Sequence, residues 1–456
     1  MIDAISPYGS YRDSGIATVG RVPTHWQSLP IRRIFRAVTR RDVRGDEVKM
    51  SMSKHMGLVP SSMLGTRAGE KAASIVYSVC SPGDLVMNKY QAHAGLFGCA
   101  TRRGLITSNY TVFQPSRGVS SAYFAKLFAS PQYRAAFEME SYGVGDGMAP
   151  LYTGVFYRIQ APLPPPEEQE AIVRFLDHAN RFVDRYVRAK RRQIALLDEQ
   201  KLVIVQKRVL GGVRARQTRR PSGIDWVGDI PTDWDVIPTR HLFRPVTRRD
   251  ITGTEPKMSM SRHLGLVRSD VLHANRAAQA ASAVAFSVCH PGDLVMNKYQ
   301  AHAGLFGAAT ERGLITANYS VFAPSERAFT PYFALLYTSS AYRTIFRVAS
   351  RGVGDGMMPL YTSAFQRVPS VVPPLMEQRE IVDCVQRETA GIAAAVAIIE
   401  RQLQQIDEYR TRLVADIVTG QLDVRTAAAG LPVVEPEAAP TEIEGDETDI
   451  EDGEAA

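Results

Sequence analysis

The sequence predicts an α+β chain: two duplicated domains of mixed β-sheet with short helices, separated by a pair of long antiparallel coiled-coil helices. Three observations carry this expectation. There is a near-verbatim internal repeat, each copy alternates short β-branched and aromatic runs with Gly/Pro turns, and a proline-free heptad segment follows each copy.

The segment SVCSPGDLVMNKYQAHAGLFGCATRRGLITSNYTVFQPS, from Ser78, recurs from Ser287 as SVCHPGDLVMNKYQAHAGLFGAATERGLITANYSVFAPS, identical at 33 of 39 positions. The match extends outward: VPTHW (Val22 to Trp26) pairs with IPTDW (Ile230 to Trp234), and VTRRD from Val38 with VTRRD from Val246. KMSMSKH from Lys49 pairs with KMSMSRH from Lys257, and GVGDGMAPLYT from Gly143 with GVGDGMMPLYT from Gly352. A period of about 209 residues is too long for a solenoid and suits a tandem domain duplication.

Within each copy DLVMNKY, LITSNYTVF and FYRIQAPL read as strands. The stretches Ser120 to Glu140 and Thr330 to Val348 read as short amphipathic helices. Each copy ends at a proline run, PLPPPEEQ (Pro162 to Gln169) or VPPLMEQ (Val372 to Gln378), which stops a strand ladder and leads into a helix start favourable to carboxylates. The following segments, Glu167 to about Leu210 and Glu377 to about Val418, lack proline. Val385, Ile392, Val396, Ile399, Leu403, Ile406, Leu413 and Ile417 fall on steps of three, four or seven, as do Leu176, Val183, Val187, Ile194, Leu197 and Ile204. Such a seam predicts that the two helices, each on the order of 60 Å long, pair with one another; the alternative is that each covers its own domain. The expected domains are 1–165, a first spacer helix 166–215, a second domain 216–375, a second spacer helix 376–425 and an acidic tail 426–456.

The net charge of +7 is unevenly spread. From Thr426 onward there are ten carboxylates and no Lys or Arg, so removing those ten from +7 leaves the rest at +17. So basic a body attracts polyanions, DNA foremost. The tail, rich in Pro, Glu and Ala, is expected to be disordered. No run of about 18 apolar residues suggests a membrane span, and MIDAISPYGSYRD lacks the pattern of a secretory signal. The four cysteines (Cys80, Cys99, Cys289, Cys384) form no CxxC pair, so the expectation is a reducing cytoplasm without a disulfide framework or zinc site.

On these residues the chain resembles the specificity subunit of type I restriction–modification systems. The resemblance rests on the GRVPTHW and GDIPTDW openings, the PGDLVMNK…GLITSNY cores, the PLPPPEEQEAIVRFLD and PPLMEQREIV helix starts, and the ending LVADIVTGQLDVR (Leu413 to Arg425). It covers nearly everything up to Arg425 and implies two target-recognition domains, each reading one half of a split site on double-stranded DNA. It implies helices that set the gap and dock methyltransferase subunits, with restriction subunits outside. It also implies that S-adenosylmethionine, ATP and Mg²⁺ belong to partner subunits and none to this chain. The acidic tail departs from the pattern. Two like readers in opposite orientation predict an interrupted, near-palindromic target.

The first candidate DNA patch is Lys89, Tyr90, Gln91 and His93, following Asn88, with its copy Lys298, Tyr299, Gln300 and His302 after Asn297. Gln bonds adenine bidentately, Lys reaches guanine or phosphate, and Tyr or His stacks or bonds; the plainer alternative makes Tyr90 and His93 interior groups. The second comprises Arg40, Arg41, Lys54 and His55 with Arg248, Arg249, Arg262 and His263, suited to phosphate or simply to a solvated face. The GVGDGM loops are followed by no GK[ST] and read as tight turns, with a loop approaching DNA as the alternative.

Enzyme readings find less support. There is neither a Gly-rich cofactor loop with an Asn/Asp-Pro-Pro-aromatic run nor a GxxxxGK[ST] loop. Glu47-Val48-Lys49 and Glu255-Pro256-Lys257, with Asp42 and Asp250 upstream, have the bare form of a metal nuclease site. A coiled-coil scaffold binding protein rather than DNA is the remaining alternative.

Overall fold

The structure, a computed structural model, describes residues 5–41, 47–53, 56–64, 77–141, 150–214, 218–249, 251–252, 254–261, 265–272, 287–350 and 359–432. Mixed sheets and helices divide between two compact units, one of residues 1–188 and 403–456, the other of residues 189–402. Each unit therefore takes the start of one long helix and the end of the other, where the sequence suggests a linear succession of domains. The expected disorder of the acidic tail concerns residues 433–456, which lie outside the described residues.

In the first unit an antiparallel sheet runs in the order Phe35–Val38, Tyr110–Pro115, Leu85–Asn88, Phe97–Cys99. Both of its faces are covered, which is why Leu85, Val86 and Met87 form an unbroken apolar run. Leu85, Met87 and Phe113 face an aromatic core, while Val86 and Val112 face a smaller cluster with Met50 and Ile106. That smaller cluster lines a mixed sheet of Gly57–Pro60, Val48–Ser53, Gly104–Thr107 and Tyr77–Cys80, in which Val48–Ser53 pairs parallel to Gly104–Thr107. The stretch LITSNYTVF thus forms two strands in two sheets rather than one.

Two helices, Ser121–Phe128 and Pro131–Glu140, cover the aromatic core with Tyr123, Phe124, Leu127, Phe128, Tyr133 and Phe137. The Ser120 hydroxyl accepts from the Tyr123 amide at 3.3 Å and starts the first; Pro131, tolerated in a first turn, starts the second. In FYRIQAPL, Phe156 closes a short helix (Thr153–Phe156), and Gln160–Leu163 pairs with Gln27–Pro30.

That strand delivers the chain to the first long helix, Pro166–Gly211. Its first turn buries Glu168 and Gln169. Glu168 accepts from Trp26 Nε1 at 2.7 Å and from the Tyr8 hydroxyl at 3.3 Å, and meets His25 Nε2 at 2.6 Å. Gln169 Oε1 accepts from the Ser120 amide at 2.7 Å, and its Nε2 donates to the carbonyls of Pro164 (2.8 Å) and Gly118 (3.3 Å). The second long helix, Leu375–Val418, ends in this same unit, where the buried Tyr123 hydroxyl donates to the Val418 carbonyl at 2.8 Å. Arg410 bonds Asn180 and Asp184, each at 2.9 Å, and Ile417 and Val418 share a core with Ile172, Phe175 and Leu176. These two helical segments therefore run antiparallel within the unit.

The boundary of the expected tail moves. Residues 419–432 turn back onto the first unit: Asp423 N donates to Ser6 O at 2.8 Å, Arg425–Ala429 is helical, and Val424 and Ala428 are buried. Apolar contact outweighs the polar composition as far as Leu431.

The second unit repeats the plan. Its sheet order is Phe243–Val246, Tyr319–Pro324, Leu294–Asn297, Phe306–Ala308, with Tyr319 opposite Asn297 as Tyr110 is opposite Asn88. Thr330–Thr338 and Ser340–Ala349 are its paired helices. Glu377 and Gln378 are fully buried: Glu377 accepts from Trp234 Nε1 at 3.2 Å, and Gln378 bonds the Phe329 amide (2.8 Å) and the carbonyls of Arg327 and Pro373 (both 2.9 Å). The Tyr332 hydroxyl donates to Val209 O at 3.0 Å, capping the end of the first long helix. Of the seam positions, Leu176, Val183, Val385, Ile392, Val396, Ile399 and Ile417 are buried, and the others named above are half-buried. No helix among the described residues is long and apolar enough to cross a membrane.

The second helix stops at Gly420, whose φ of +77° suits glycine and whose added Cβ would stand 2.5 Å from Pro23 Cδ and 2.9 Å from the Trp26 ring. Gly420→Ala is therefore expected to destabilise the protein by about 1–3 kcal/mol. Gly391→Ala, in open space on the same helix, is expected to stabilise it by up to about 1 kcal/mol. Urea midpoints of the two variants should move in opposite directions; a common direction would contradict this account of the helix end.

Candidate nucleic-acid interface

The buried strand Leu85–Asn88 ends in a tight turn whose backbone is fixed from three sides. Asn88 Oδ1 accepts from the Tyr90 amide at 3.1 Å, and Asn88 Nδ2 donates to Gln91 Oε1 at 3.0 Å. Lys89 N donates to Asn109 O at 3.0 Å, and Lys89 O accepts from the Leu151 amide at 2.9 Å. A 3₁₀ turn, Ala92–Ala94, then closes on Gly95 at φ +80°. A Cβ there would stand 2.9 Å from Ala129 Cα and 3.2 Å from the Arg134 side chain, so glycine permits the close approach.

The copy repeats this arrangement. Asn297 bonds the Tyr299 amide (3.1 Å) and Gln300 Oε1 (3.2 Å), and Lys298 is held by Asn318 O (3.0 Å) and the Leu360 amide (2.8 Å). Gly304, at φ +82°, approaches Thr338 and Arg343. Tyr90 and Tyr299 are each 38% exposed, and Gln91 and Gln300 are exposed. Lys89 and Lys298 are half-buried, with Lys89 Nζ 6.0 Å from the Tyr90 ring centre. His93 and His302 are half-buried, and His93 Nδ1 is enclosed without a hydrogen-bond partner among the described residues. Each loop thus presents Tyr and Gln outward on a rigid backbone. The Asn-held amide of each Gln has its orientation set, and its Oε1 keeps a second lone pair for a ligand.

The arginine pairs divide. Arg40 forks onto the buried carboxylate of Asp84 (2.5 and 3.3 Å), which also accepts from the Ser81 amide at 2.7 Å. Arg248 forks onto Asp293 in the same way. Both guanidiniums therefore hold the PGD turn, a role that their sequence does not announce, while Arg41 and Arg249 are exposed. Lys54, His55, Arg262 and His263, and the GVGDGM loops from Gly143 and Gly352, lie outside the described residues. Sequence reasoning passed over Arg134 and Arg343, which reach the loops from the short helices; the shared Tyr-Arg at Tyr133–Arg134 and Tyr342–Arg343 is the signal that could have found them.

The nuclease-like carboxylates are occupied. Glu47, its side chain 1% exposed, pairs with Arg103 at 3.1 Å, and Glu255 pairs with Arg312 at 3.0 Å. Lys49 points to the Tyr77 ring, 5.8 Å from its centre. Among the described residues no group of three or more His, Cys, Asp or Glu is placed to hold a metal ion.

No family model matches the chain. Over 141 residues it is 26% identical to the "Type I restriction enzyme MjaVIII specificity subunit" of Methanocaldococcus jannaschii, a match covering 31% of this chain and 31% of that protein. Sequence and fold both resemble type I restriction–modification proteins. A solved chain described as "Structural basis underlying complex assembly and conformational transition of the type I R-M system" aligns with 87% of this chain and 98% of its own, at TM-score 0.54 and 13% identity, a likeness of fold. The HsdS subunit from Thermoanaerobacter tengcongensis aligns over 87% of this chain and 96% of its own at 16% identity and a TM-score of 0.37.

The contacts that hold Glu255 can be tested by titration. The Thr252 amide, its hydroxyl and Arg312 together hold the Glu255 carboxyl down to about 2, below its ordinary 4.5. A depressed carboxyl adds stability that is fully present above pH 4.5 and lost as the pH falls through about 2. Glu255→Gln should therefore flatten the acid side of the stability curve between those values while leaving the neutral-to-alkaline side parallel to the original. An unchanged acid slope in pH-dependent urea titrations would show that Glu255 is not so held.

Proposed function

We propose that the chain is the non-catalytic, DNA-reading specificity subunit of a type I restriction–modification complex. The observation that carries this reading is the repetition, bond for bond, of one exposed Tyr-Gln loop in two units that each anchor opposite ends of the two long helices. Helices of 46 and 44 residues are about 69 and 66 Å long at about 1.5 Å per residue. Paired antiparallel along their buried seam as a coiled coil, they would hold one target-recognition domain at each end and set the gap between two half-sites. The exposed helix faces would dock methyltransferase subunits, with restriction subunits beyond. S-adenosylmethionine, ATP and Mg²⁺ would act on those partners, in the cytoplasm.

The nuclease reading is disfavoured by the arginines that occupy Glu47 and Glu255. The scaffold reading is disfavoured by the +17 charge outside the tail, since a steep fall of DNA affinity with salt is expected of such a surface.

Because the loops match, the target should be an interrupted sequence whose halves are near-identical on opposite strands. Methylome sequencing of cells carrying this system tests that, and two unrelated half-sites would refute it. Gln91→Ala with Gln300→Ala should relax base choice at one position per half-site, a discrimination of about 1–3 kcal/mol, without abolishing binding. Arg41→Ala with Arg249→Ala should instead weaken binding to all sequences and leave the motif intact. A methylated motif unchanged by the glutamine pair would remove this loop from the reading surface.

A further inference from the structure

We infer that Tyr152 and Tyr361, the tyrosines of the two PLYT stretches, donate their hydroxyls to backbone phosphates and so position each Tyr-Gln loop on the DNA. The inference rests on the DNA-reading function proposed above and adds to it one positioning residue per unit, outside the loops themselves.

Three observations carry it. First, each tyrosine is tied to its loop through the backbone. The Leu151 amide donates to Lys89 O at 2.9 Å, and the Leu360 amide to Lys298 O at 2.8 Å. Tyr90 and Tyr152 each follow one end of that bond along the chain, as Tyr299 and Tyr361 do in the copy. Second, each tyrosine is presented at the surface. Leu151 and Leu360 are fully buried, whereas Tyr152 is 55% exposed and Tyr361 49% exposed. Both tyrosines have extended backbone, at φ −74° and ψ 145° and at φ −71° and ψ 148°, so the leucine turns into the core and the tyrosine out. Their carbonyls are also held: Tyr152 O accepts from the Val155 and Phe156 amides, both at 3.0 Å, and Tyr361 O from those of Ala364 (2.9 Å) and Phe365 (3.0 Å). Each ring therefore leaves a fixed backbone. Third, the hydroxyls are uncommitted. Tyr110, Tyr123, Tyr133 and Tyr157 each bond a backbone amide or carbonyl, but neither Tyr152 nor Tyr361 has a side-chain hydrogen bond among the described residues.

The acceptor is a phosphate rather than a base edge. A hydroxyl offers one donor and no fork, so it lacks the two-point geometry by which a glutamine or arginine tells one base from another. Phosphate and sugar oxygens take most of the hydrogen bonds at a duplex surface, and tyrosine is among their donors. A phosphate held there would set the loop's height on the duplex and leave base choice to the glutamine. Being neutral, the tyrosine releases no counterion, which separates it from a phosphate-binding arginine.

The test uses the full chain in its native assembly, with duplexes carrying the methylated motif or an unrelated sequence. Tyr152→Phe with Tyr361→Phe removes the two hydroxyls and keeps the rings. Affinity for both duplexes should fall about tenfold per tyrosine. The slope of log affinity against log salt, the methylated motif and the urea midpoint should all stay as they were. A scan of single methylphosphonate linkages identifies the acceptor: at one linkage per half-site the substitution should weaken the unaltered assembly more than the phenylalanine pair. Undiminished affinity in the phenylalanine pair, or equal losses in the two proteins at every linkage, would overturn the inference. A motif altered in the phenylalanine pair would also overturn it, making the tyrosines base readers. If the unaltered assembly bound its motif no better than other DNA, the functional reading itself would fail, which is a different result from any of these.

Discussion

The structure depends on how each long helix begins. Two adjacent polar residues, Glu168–Gln169 and Glu377–Gln378, are buried in the first turn, where an unbonded polar group would cost on the order of 1–3 kcal/mol. They are tolerated because they are bonded to several parts of the unit at once. The glutamine amides tie the proline run to the segment that starts the first short helix, and the glutamates take the indole N–H of the Trp that opens each copy. A carboxylate in a first turn also meets the positive end of the helix dipole. The helix axis is thus locked to the core of its own unit by directional bonds, not by apolar contact alone. At the other helix's end, a buried tyrosine hydroxyl in each unit donates to one of the last carbonyls, which the helix itself cannot satisfy.

Much of this was legible in the sequence because it follows from periodicity and composition. The duplication, the apolar DLVM strand, the proline stops and the extents of the long helices are local signals, and the helix limits at Gly211 and Val418 lie close to where the apolar rhythm stops. What was not legible depended on partners far apart in the chain. Nothing near Val424 or Ala428 says that they will find a core built from residues 8 to 176. The stretch LITSNYTVF reads as one strand because the Ser108–Asn109 turn is hidden within a β-favouring run, and the structure uses that turn to pass from one sheet to the next. The division into discontinuous units has the same origin, since each globular part closes around a helix end that arrives from the other half of the sequence.

Around the candidate loops, which side chains are committed to internal partners was not legible in the sequence. Two neighbouring arginines look alike on paper, yet Arg40 faces Asp84 and Arg41 faces solvent, because alternation along an extended segment sends successive side chains to opposite sides. The Asp of each PGD turn lies more than forty residues from its arginine, so the pair is invisible to any short window. The Glu-x-Lys stretches failed in the same way: the glutamate turns inward to Arg103 or Arg312, and the lysine turns out.

The two copies are not identical everywhere, and where they differ is informative. Ser81 becomes His290, whose Nε2 meets Arg312 at 3.0 Å, and exposed Arg102 becomes Glu311. Neither change reaches the loop backbone, which is pinned by Asn109, Leu151 and the Asn88 side chain in one copy and by Asn318, Leu360 and Asn297 in the other. A charge difference outside a rigid loop changes the electrostatic attraction of that unit without re-aiming its glutamine. Under the proposed function the two halves of the target would therefore share their bases while being held with unequal strength.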